Sequence, residues 1–177
     1  MDALAWLNHA PSAEAEAALF RCCGCAGWAR DVAAARPFHE AGDLMAAAER
    51  EWAKASREDI LEAFSHHPRI GDQQSLKVRF PLTHGWSSEE QTAVSAASES
   101  VLGELAKANR DYEARFGYIF IVCASGKTAS EMLELLGARL SNEHSVELKV
   151  AAGEQMKITR LRLEKLLGEP HQRGNPE

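Results

Sequence analysis

Residues 116–123 read Phe116-Gly117-Tyr118-Ile119-Phe120-Ile121-Val122-Cys123, and this stretch decides the fold class. Aromatic and β-branched residues crowd there, as they do in β-strands. No second run of this kind occurs with which it could pair in a sheet. The sequence therefore predicts one short extended segment near residues 117–123, packed among helices, and an all-α fold.

Helical patterns account for most of the remaining chain. Leu44, Ala48 and Trp52 recur at four-residue intervals and form a clear amphipathic stripe. Ser12 is predicted to cap the first helix, and Gly103 could divide the long segment that contains it, which gives about eight helices. The predicted helical ranges are residues 12–21, 28–35, 42–55, 57–65, 87–114, 125–140 and 142–167.

Size and charge restrict the class of protein. At 177 residues the chain can bury a core as one domain, so we predict a single compact helical domain over residues 1–167 and a flexible tail over residues 168–177. The net charge of -6, with both signs interspersed, argues against a nucleic-acid partner. No apolar run approaches the ~20 residues that cross a membrane, and the N-terminal residues do not resemble a signal peptide. We expect a cytoplasmic protein without a membrane partner.

Cysteine spacing and ligand pairs give little support for a metal site. The four cysteines are Cys22, Cys23, Cys25 and Cys123. Their spacing fits neither zinc nor thioredoxin motifs, so we predict reduced, mostly structural thiols in a cytoplasmic setting. His67 and Asp72 could pair on a metal, but the sequence names no further ligands. We predict no metal.

A histidine at a helix end is the first candidate for chemistry. Residues 57–65 are followed by His66-His67-Pro68-Arg69-Ile70-Gly71-Asp72. Because proline pushes the residue before it out of the helical conformation, we expect His67 to lie at a bend. An imidazole at such a bend can face a pocket and titrate near neutral pH. The alternative is a histidine that simply ends a helix.

The second candidate is the segment Ser87-Ser-Glu-Glu90-Gln91. Ser87 and Glu90 fit a capping box, which would need no function beyond starting a helix. The same geometry also suits a small anionic ligand, because a helix N-terminus presents unpaired N–H groups. On these residues alone, the structural cap is the favoured interpretation, with the ligand site as the alternative.

The third candidate is an arginine in the last predicted helix. Steps of 100° place Arg162 on the inner stripe with Ala151, Ile158, Leu161 and Leu166. An arginine directed inward needs a partner, since it cannot lose its charge. Glu147 and Glu154 fall on the same stripe, so an internal ion pair and a ligand-binding role remain equal alternatives. Arg160 is predicted to face solvent.

These candidates belong to a set of motifs that stand in one order along the chain. The motifs are His67-Pro-Arg-Ile-Gly-Asp72, Ser87-x-x-Glu90-Gln91, Arg115-Phe-Gly-Tyr-Ile-Phe120 and Lys157-Ile-x-x-Leu-Arg162-Leu, together with Cys22-Cys-Gly, Trp28, Arg36-Pro-Phe38 and Arg139-Leu-x-Asn142. In this order and spacing, they resemble the 2-oxo-4-hydroxy-4-carboxy-5-ureidoimidazoline (OHCU) decarboxylase family. The resemblance covers nearly the whole chain.

The resemblance implies an all-helical, cofactor-free carboxy-lyase that is usually a homodimer. Its reaction converts OHCU to (S)-allantoin and carbon dioxide, the last step of urate degradation to allantoin. The family's catalytic residues map onto His67, Glu90 and Arg162. Its substrate contacts map onto Pro68, Ser87, Gln91 and a backbone segment of five residues: Ile119, Phe120, Ile121, Val122 and Cys123.

A different class of function remains as an alternative. A non-catalytic helical module that binds a small ureide or anion would keep Arg162 and the helix start at Ser87, but it would not need His67. A metal-dependent hydrolase needs ligands that the sequence does not supply.

Overall fold

The computed structural model describes residues 2–67, 88–125 and 127–168, and for residues 88–98 it describes the backbone alone. In these ranges the chain forms helices and no strands, which confirms the predicted all-α class. None of these helices has the length and apolar character that a membrane crossing requires. The eight helices are α1 (Ala3–His9), α2 (Ser12–Cys23), α3 (Ala26–Ala34), α4 (Ala41–Trp52), α5 (Arg57–Ser65), α6 (Ser88–Phe116), α7 (Ala129–Arg139) and α8 (His144–Gly168).

The chain divides into two compact units. The first comprises Met1–His67 and Ala152–Glu177, and the second comprises Pro68–Ala151. The division falls within α8, whose N-terminal part belongs to the second unit and whose C-terminal part belongs to the first. The single domain over residues 1–167 stays a prediction. Gly168 ends α8, and the rest of the predicted tail lies outside the described residues.

The first unit is built on the predicted amphipathic stripe of α4. Leu44, Ala48 and Trp52 are all buried, as their four-residue spacing predicts. Two indole N–H groups tie helices to this stripe: Trp28 donates to the carbonyl of Ala48 at 2.9 Å, and Trp52 donates to the carbonyl of Ala152 at 3.0 Å. Each tryptophan thus combines apolar burial with a satisfied polar atom.

Helix α1 was not predicted, and Ser12 does not cap α2. With 7 residues, α1 is too short to show a clear periodicity, although Asp2 caps it by accepting the N–H of Ala5 at 2.7 Å. Pro11 is the N-cap of α2, and Ser12 is its first residue. A proline at this position fits because the first turn of a helix needs no backbone donor.

The long helix α6 runs through Gly103 without a break, so the suggested division into two helices is wrong. One face of α6 is buried at three- and four-residue intervals around the glycine, which is the pattern of a single helix packed against a core. Tertiary packing of this kind outweighs the ~1 kcal/mol that glycine costs in a helix. The buried residues of this face are Leu102, Leu105, Ala106, Asn109, Tyr112 and Phe116.

The extended segment after α6 is present as predicted. Gly117, with φ of 80°, ends α6 in the left-handed conformation, and residues 119–124 then run without helix or strand. Tyr118 and Phe120 pack edge-on against the ring of Tyr112, with centroids 5.9 and 5.2 Å away. The segment is held among helices by side-chain burial and not by sheet pairing.

The buried stripe of α8 is not the one predicted. Leu161 is exposed and Ile158 is half-buried, whereas the buried positions follow a four-residue step. Two of these buried positions carry the polar residues Gln155 and Thr159, so a pattern of hydrophobic residues does not reveal the buried face. Arg160 does face solvent, as predicted. The buried residues of α8 are Glu147, Ala151, Gln155, Thr159, Leu163 and Leu166.

Candidate active site

Helix α5 delivers His67 to the interior of the first unit. Ser56 and Asp59 form a capping box that starts the helix, with Asp59 accepting the backbone N–H of Ser56 at 2.9 Å. The helix ends at Ser65, and the N–H of His67 then bonds to the carbonyl of Phe64 at 3.2 Å. His67 is a bend residue with only 7% of its surface exposed. The predicted bend is confirmed, and the imidazole at it is buried.

Gly24 lets the end of α2 approach the end of α5 closely. Gly24 is the C-cap of α2 and has φ of 80°, a left-handed conformation that glycine adopts without strain. A Cβ at this position would lie 2.8 Å from the Cβ of His66 and 3.3 Å from the carbonyl oxygen of Ala63. The end of α2 therefore packs so closely against the end of α5 that no side chain fits at position 24.

A buried glutamine holds the imidazole of His67. The Nε2 atom of His67 lies 2.6 Å from Oε1 of Gln155, which is fully buried. The amide nitrogen of Gln155 donates to the carbonyl of Cys23 at 3.1 Å and to the hydroxyl of Thr159 at 3.2 Å. One side chain thus connects the ring to α2 and to the next turn of α8.

Arg162 reaches the same end of α2. Its Nη1 donates to the carbonyl of Cys22 at 3.2 Å, next to the Cys23 carbonyl that accepts from Gln155. The last carbonyls of a helix lack intrahelical donors and carry partial negative charge, so they favour a cation. The sequence left open an internal ion pair of Arg162 with Glu147 or Glu154; in the structure Glu147 pairs with Arg139 and Glu154 pairs with Lys157. The motif Cys22-Cys-Gly thus positions both His67 and Arg162.

Cys23 lies beside this arrangement as an unreactive thiol. Burial raises the pKa of Cys23 from 9.0 to about 12, although a hydrogen bond from Thr159 partly opposes the rise. A thiol is nucleophilic only as the thiolate, so Cys23 does not act as a nucleophile near neutral pH. All four cysteines are buried and free in the described ranges, and their reduced state stays a prediction.

The second unit contains the extended segment and a buried ionic network. Arg139 donates through Nη1 to the carbonyl of Ile121 at 2.8 Å, and its guanidinium lies 4.6 Å from the ring centre of Phe120. Nε of Arg139 donates to Glu147 at 2.8 Å, and Asn142 donates to the other carboxylate oxygen at 2.7 Å. The network holds the backbone of the segment from the side of α7 and α8.

Tyr112 completes this network. Its hydroxyl donates to Oε1 of Glu147, the oxygen that Arg139 also contacts. Burial, and then the hydrogen bond to the Glu147 carboxylate, hold the pKa of Tyr112 far above its usual range. The hydroxyl therefore remains a donor near neutral pH.

One group of side chains in the first unit has metal-ligand chemistry. The ligand atoms of Cys25, Asp59 and Glu62 lie within 4.8 Å of one another. Each of them also serves a helix N-terminus: Cys25 is the N-cap of α3, Glu62 accepts the N–H of Ala26, and Asp59 belongs to the capping box of α5. These hydrogen bonds explain the cluster without an ion.

Comparison with known proteins identifies the family. A family model for OHCU decarboxylase matches residues 8–164 of the chain. The chain belongs to the OHCU decarboxylase family. The resemblance found in the sequence motifs is thereby confirmed.

Individual members of the OHCU decarboxylase family show the same relation. The uric acid degradation bifunctional protein TTL of Arabidopsis thaliana is 40% identical over 148 residues, which is 84% of this chain and 46% of that protein. The 2-oxo-4-hydroxy-4-carboxy-5-ureidoimidazoline decarboxylase of Xenopus laevis is 34% identical over 113 residues, which is 62% of this chain and 60% of that protein. The chain thus spans about half the length of these two curated relatives.

A solved structure of the OHCU decarboxylase family covers more of the fold. A crystal structure of OHCU decarboxylase in the presence of (S)-allantoin is 38% identical to this chain, with a TM-score of 0.69. The match covers 85% of this chain and 96% of that one. The fold of the family is therefore present over most of this chain.

The residues that the family motifs predict fall into three groups in the structure. His67 and Arg162 lie in the first unit, and both are linked to the end of α2. The segment of residues 119–123 lies in the second unit, as does the backbone of Glu90 and Gln91 in the first turn of α6. Pro68, Ser87 and Asp72 lie outside the described residues, and the side chains of Glu90 and Gln91 are not described.

Sequence reasoning missed Gln155 and gave Arg139 no role, and it placed Glu147 inward but opposite the wrong arginine. Gln155 holds His67, and the pair Arg139 and Glu147 holds the carbonyl of Ile121 through the guanidinium. Arg139 and Asn142 did stand in a family motif, but without a role. Polar residues, among them Glu147 and Gln155, lie on one four-residue step through α8. Interpreting that step as a buried face, and not as a solvated one, would have predicted both residues.

Proposed function

We propose that this chain converts OHCU to (S)-allantoin and carbon dioxide as a cofactor-independent decarboxylase. Its likeness to a crystal structure of OHCU decarboxylase in the presence of (S)-allantoin supports the reaction. The observation that carries the proposal is the buried His67, which Gln155 holds in one orientation where the family motif places the catalytic histidine. A histidine that merely ended a helix would need no buried partner of this kind.

The substrate can supply its own electron sink. One ring carbon of OHCU bears both a hydroxyl and a carboxylate, and it adjoins a carbon–nitrogen double bond. When the bond to the carboxylate breaks, its electron pair forms a carbon–carbon double bond, and the electrons of the carbon–nitrogen bond move to nitrogen, which takes a proton. The resulting enol then gains a proton on the neighbouring carbon and loses its hydroxyl proton to become (S)-allantoin. One proton is taken up in total, and no pyridoxal or thiamine cofactor is needed.

His67 would move a proton at the substrate hydroxyl or at the neighbouring carbon. Its Nε2 bonds to Gln155, so Nδ1 is the nitrogen that gains and releases the proton. General acid–base help of this kind contributes ~10²–10⁴-fold to a rate. The fixed ring also delivers the proton to one face, as a single enantiomer of the product requires.

Arg162 would bind the oxygen atoms that become negative during the reaction. A guanidinium has five N–H donors, so the bond to the Cys22 carbonyl orients the group and still leaves capacity for substrate oxygens. The partial negative charge at the end of α2 holds the cation in place before substrate arrives. Such preorganised donors stabilise developing charge without further rearrangement.

The backbone of residues 119–123 would hold the flat ring of the substrate. Arg139 binds the carbonyl of Ile121, and in a trans peptide the following N–H, that of Val122, points the opposite way. Lys127 likewise binds the carbonyl of Cys123 at 2.9 Å. Fixing the carbonyls therefore directs N–H groups toward the other side, where they can donate to ring oxygens without adding charge.

The remaining assignments rest on the family motifs alone. Glu90 would orient the hydroxyl or urea N–H groups of the substrate, and it would disfavour the nearby carboxylate by like charge. Pro68, Ser87 and Gln91 would complete the contacts. We also propose a cytoplasmic homodimer, which sedimentation equilibrium tests by comparing the mass in solution with twice the chain mass of 19.4 kDa.

Turnover of fresh substrate by metal-free protein tests the reaction. OHCU is made in place from urate by uricase and the hydrolase that follows it, and circular dichroism records the appearance of (S)-allantoin. We expect clear acceleration over spontaneous decay. An unchanged rate would reject the decarboxylase, and substrate-analogue binding without turnover would favour the non-catalytic ureide-binding module instead.

Two neighbouring histidines provide matched variants for this assay. His67→Asn should lower kcat by ~10²-fold or more, because it removes the proton-transfer group. His66→Asn should retain nearly full activity, because His66 is exposed and packs against the ring of Phe20. Wild-type turnover in folded His67→Asn protein would exclude this histidine from the mechanism.

A further inference from the structure

We propose that Gln155 is a positioning residue that sets the tautomer of His67, so that Nε2 always carries a hydrogen and Nδ1 performs the proton transfer. This inference rests on the proposed decarboxylase function. The geometry around the amide carries it, because each atom of the Gln155 side chain that can form hydrogen bonds has a partner of defined character.

The orientation of the amide follows from the carbonyl of Cys23. A carbonyl oxygen only accepts hydrogen bonds, so the amide group that faces it at 3.1 Å must be the NH₂. The second amide hydrogen points to the hydroxyl of Thr159, at 3.2 Å. Rotating the amide by 180° would place its oxygen against the Cys23 carbonyl and would break both bonds. Oε1 is therefore the atom that faces His67.

The protonation of the imidazole follows from the orientation of the amide. Oε1 of Gln155 is an acceptor, and it lies 2.6 Å from Nε2 of His67, so Nε2 must donate. In the neutral ring, the hydrogen then resides on Nε2 and the lone pair on Nδ1. In the imidazolium, Nε2 keeps its hydrogen and Nδ1 carries the additional one. Every proton that the ring exchanges thus passes through Nδ1.

Burial makes this arrangement persistent. Gln155 and Thr159 are fully buried, and His67 is nearly so. A buried amide that lost its partners would cost more than the bonds contribute, because water cannot replace them. A neutral amide also differs from a carboxylate partner, since it orients the ring without a charge that would favour the imidazolium. The amide therefore orients the ring without adding a charge beside it.

Nitrogen NMR tests the tautomer without using activity. Long-range ¹H–¹⁵N spectra of uniformly labelled protein distinguish the two ring nitrogens, and His67→Asn identifies the His67 signals among the seven histidines. The pH is raised until the two shifts stop changing. Wild-type protein should show Nε2 bearing hydrogen and Nδ1 without it. The opposite assignment would overturn the proposal.

Two substitutions separate the acceptor from the shape of the side chain. Gln155→Met keeps the length but removes the acceptor, so the ring shifts should become an average of tautomers. Its kcat should fall by ~10–100-fold, with KM within about twofold, since Gln155 acts through His67 and not on substrate. Gln155→Glu keeps an acceptor oxygen toward Nε2 but puts an oxygen where the NH₂ faces the Cys23 carbonyl, so the Nε2–H tautomer should return while kcat stays below the wild-type value. Met156→Leu is the control on the same helix, because it changes a core-packed neighbour and should leave both readouts unchanged.

The outcomes distinguish the inference from the proposed function. A changed tautomer with unchanged kcat in Gln155→Met would refute the positioning role, and a reduced kcat with the wild-type tautomer would refute the tautomer mechanism. Wild-type protein that does not turn over OHCU would reject the proposed function, whereas its ring spectrum would still decide the tautomer.

Discussion

Replacing Arg139 by methionine should leave a buried carboxylate without its cation. Glu147 is fully buried and accepts hydrogen bonds from Arg139, Tyr112 and Asn142. Methionine occupies much of the volume of the arginine stem, so the change removes the charge and donors more than the packing. The same substitution also removes the bond to the carbonyl of Ile121.

The expected size of the effect follows from the burial of the pair. Breaking a buried ion pair by removing one partner costs about 3–5 kcal/mol, because the remaining charge stays desolvated. For a chain of this length, each kcal/mol lowers the Tm by roughly 2–4 °C, so Arg139→Met should lower it by roughly 6–20 °C. Without Arg139 on the Ile121 carbonyl, the N–H of Val122 in the same peptide should also exchange its hydrogen faster.

Urea unfolding followed by far-UV circular dichroism measures the change in the free energy of unfolding. The control is Arg160→Met on α8, where the arginine pairs with Glu49 at 3.2 Å and with Glu164 at 3.4 Å, and all three side chains are more than half exposed. Such exposed pairs contribute about 0–1 kcal/mol, so the control should unfold nearly as the wild type does.

A second substitution isolates the charge. Adding Glu147→Gln to Arg139→Met removes the stranded carboxylate but keeps an acceptor for Tyr112, so the double variant should be more stable than the single one. If Arg139→Met costs no more than Arg160→Met, or if the double variant is the less stable, the buried carboxylate is not the source of the cost.

Three further predictions concern the glycines that end helices, the cap of α5 and the buried thiol of Cys23. Gly117→Ala should lower the free energy of unfolding by about 1–2 kcal/mol, for its left-handed backbone alone, since no atom lies within 4 Å of the added Cβ. Gly24→Ala should lower it more, because its Cβ would lie 2.8 Å from that of His66. Urea unfolding compares the two variants. Ser56→Ala should cost about 1 kcal/mol by removing the cap of α5, measured in the same way. The raised pKa of Cys23 predicts that its contribution to the free energy of unfolding is complete below pH 9.0 and is lost as pH rises toward about 12. The reason is that the thiol of the unfolded chain loses its proton at a lower pH than the thiol of the folded chain. Cys23→Ala should reduce that slope by up to about 1.4 kcal/mol per pH unit.

Each of these predictions has an outcome that contradicts it. Equal costs for the two glycine variants would show that α2 and α5 do not meet as closely as described. An unchanged free energy in Ser56→Ala would mean that the capping box does not support α5. Identical alkaline slopes in wild-type and Cys23→Ala protein would exclude the buried thiol as a source of the pH dependence.

The sequence by itself determined the fold class and the family of this protein. Periodic apolar residues such as Leu44, Ala48 and Trp52 predict helices because helix formation and burial both depend on local spacing. Residues 116–123 predict an unpaired extended stretch because their composition is typical of a strand and the sequence holds no second run of this kind. Pro68 likewise located the bend at His67, since its steric effect acts on the residue directly before it.

Only the tertiary structure decided which polar side chains are buried and what they hold. Gln155 and Cys23 are 132 residues apart in the chain, and Arg139 reaches Ile121 across 18. No local pattern encodes such pairs, because a buried polar residue interrupts the hydrophobic stripe on which sequence prediction depends. The helix face carrying Gln155 was therefore misassigned from sequence, although it is the face that orients His67.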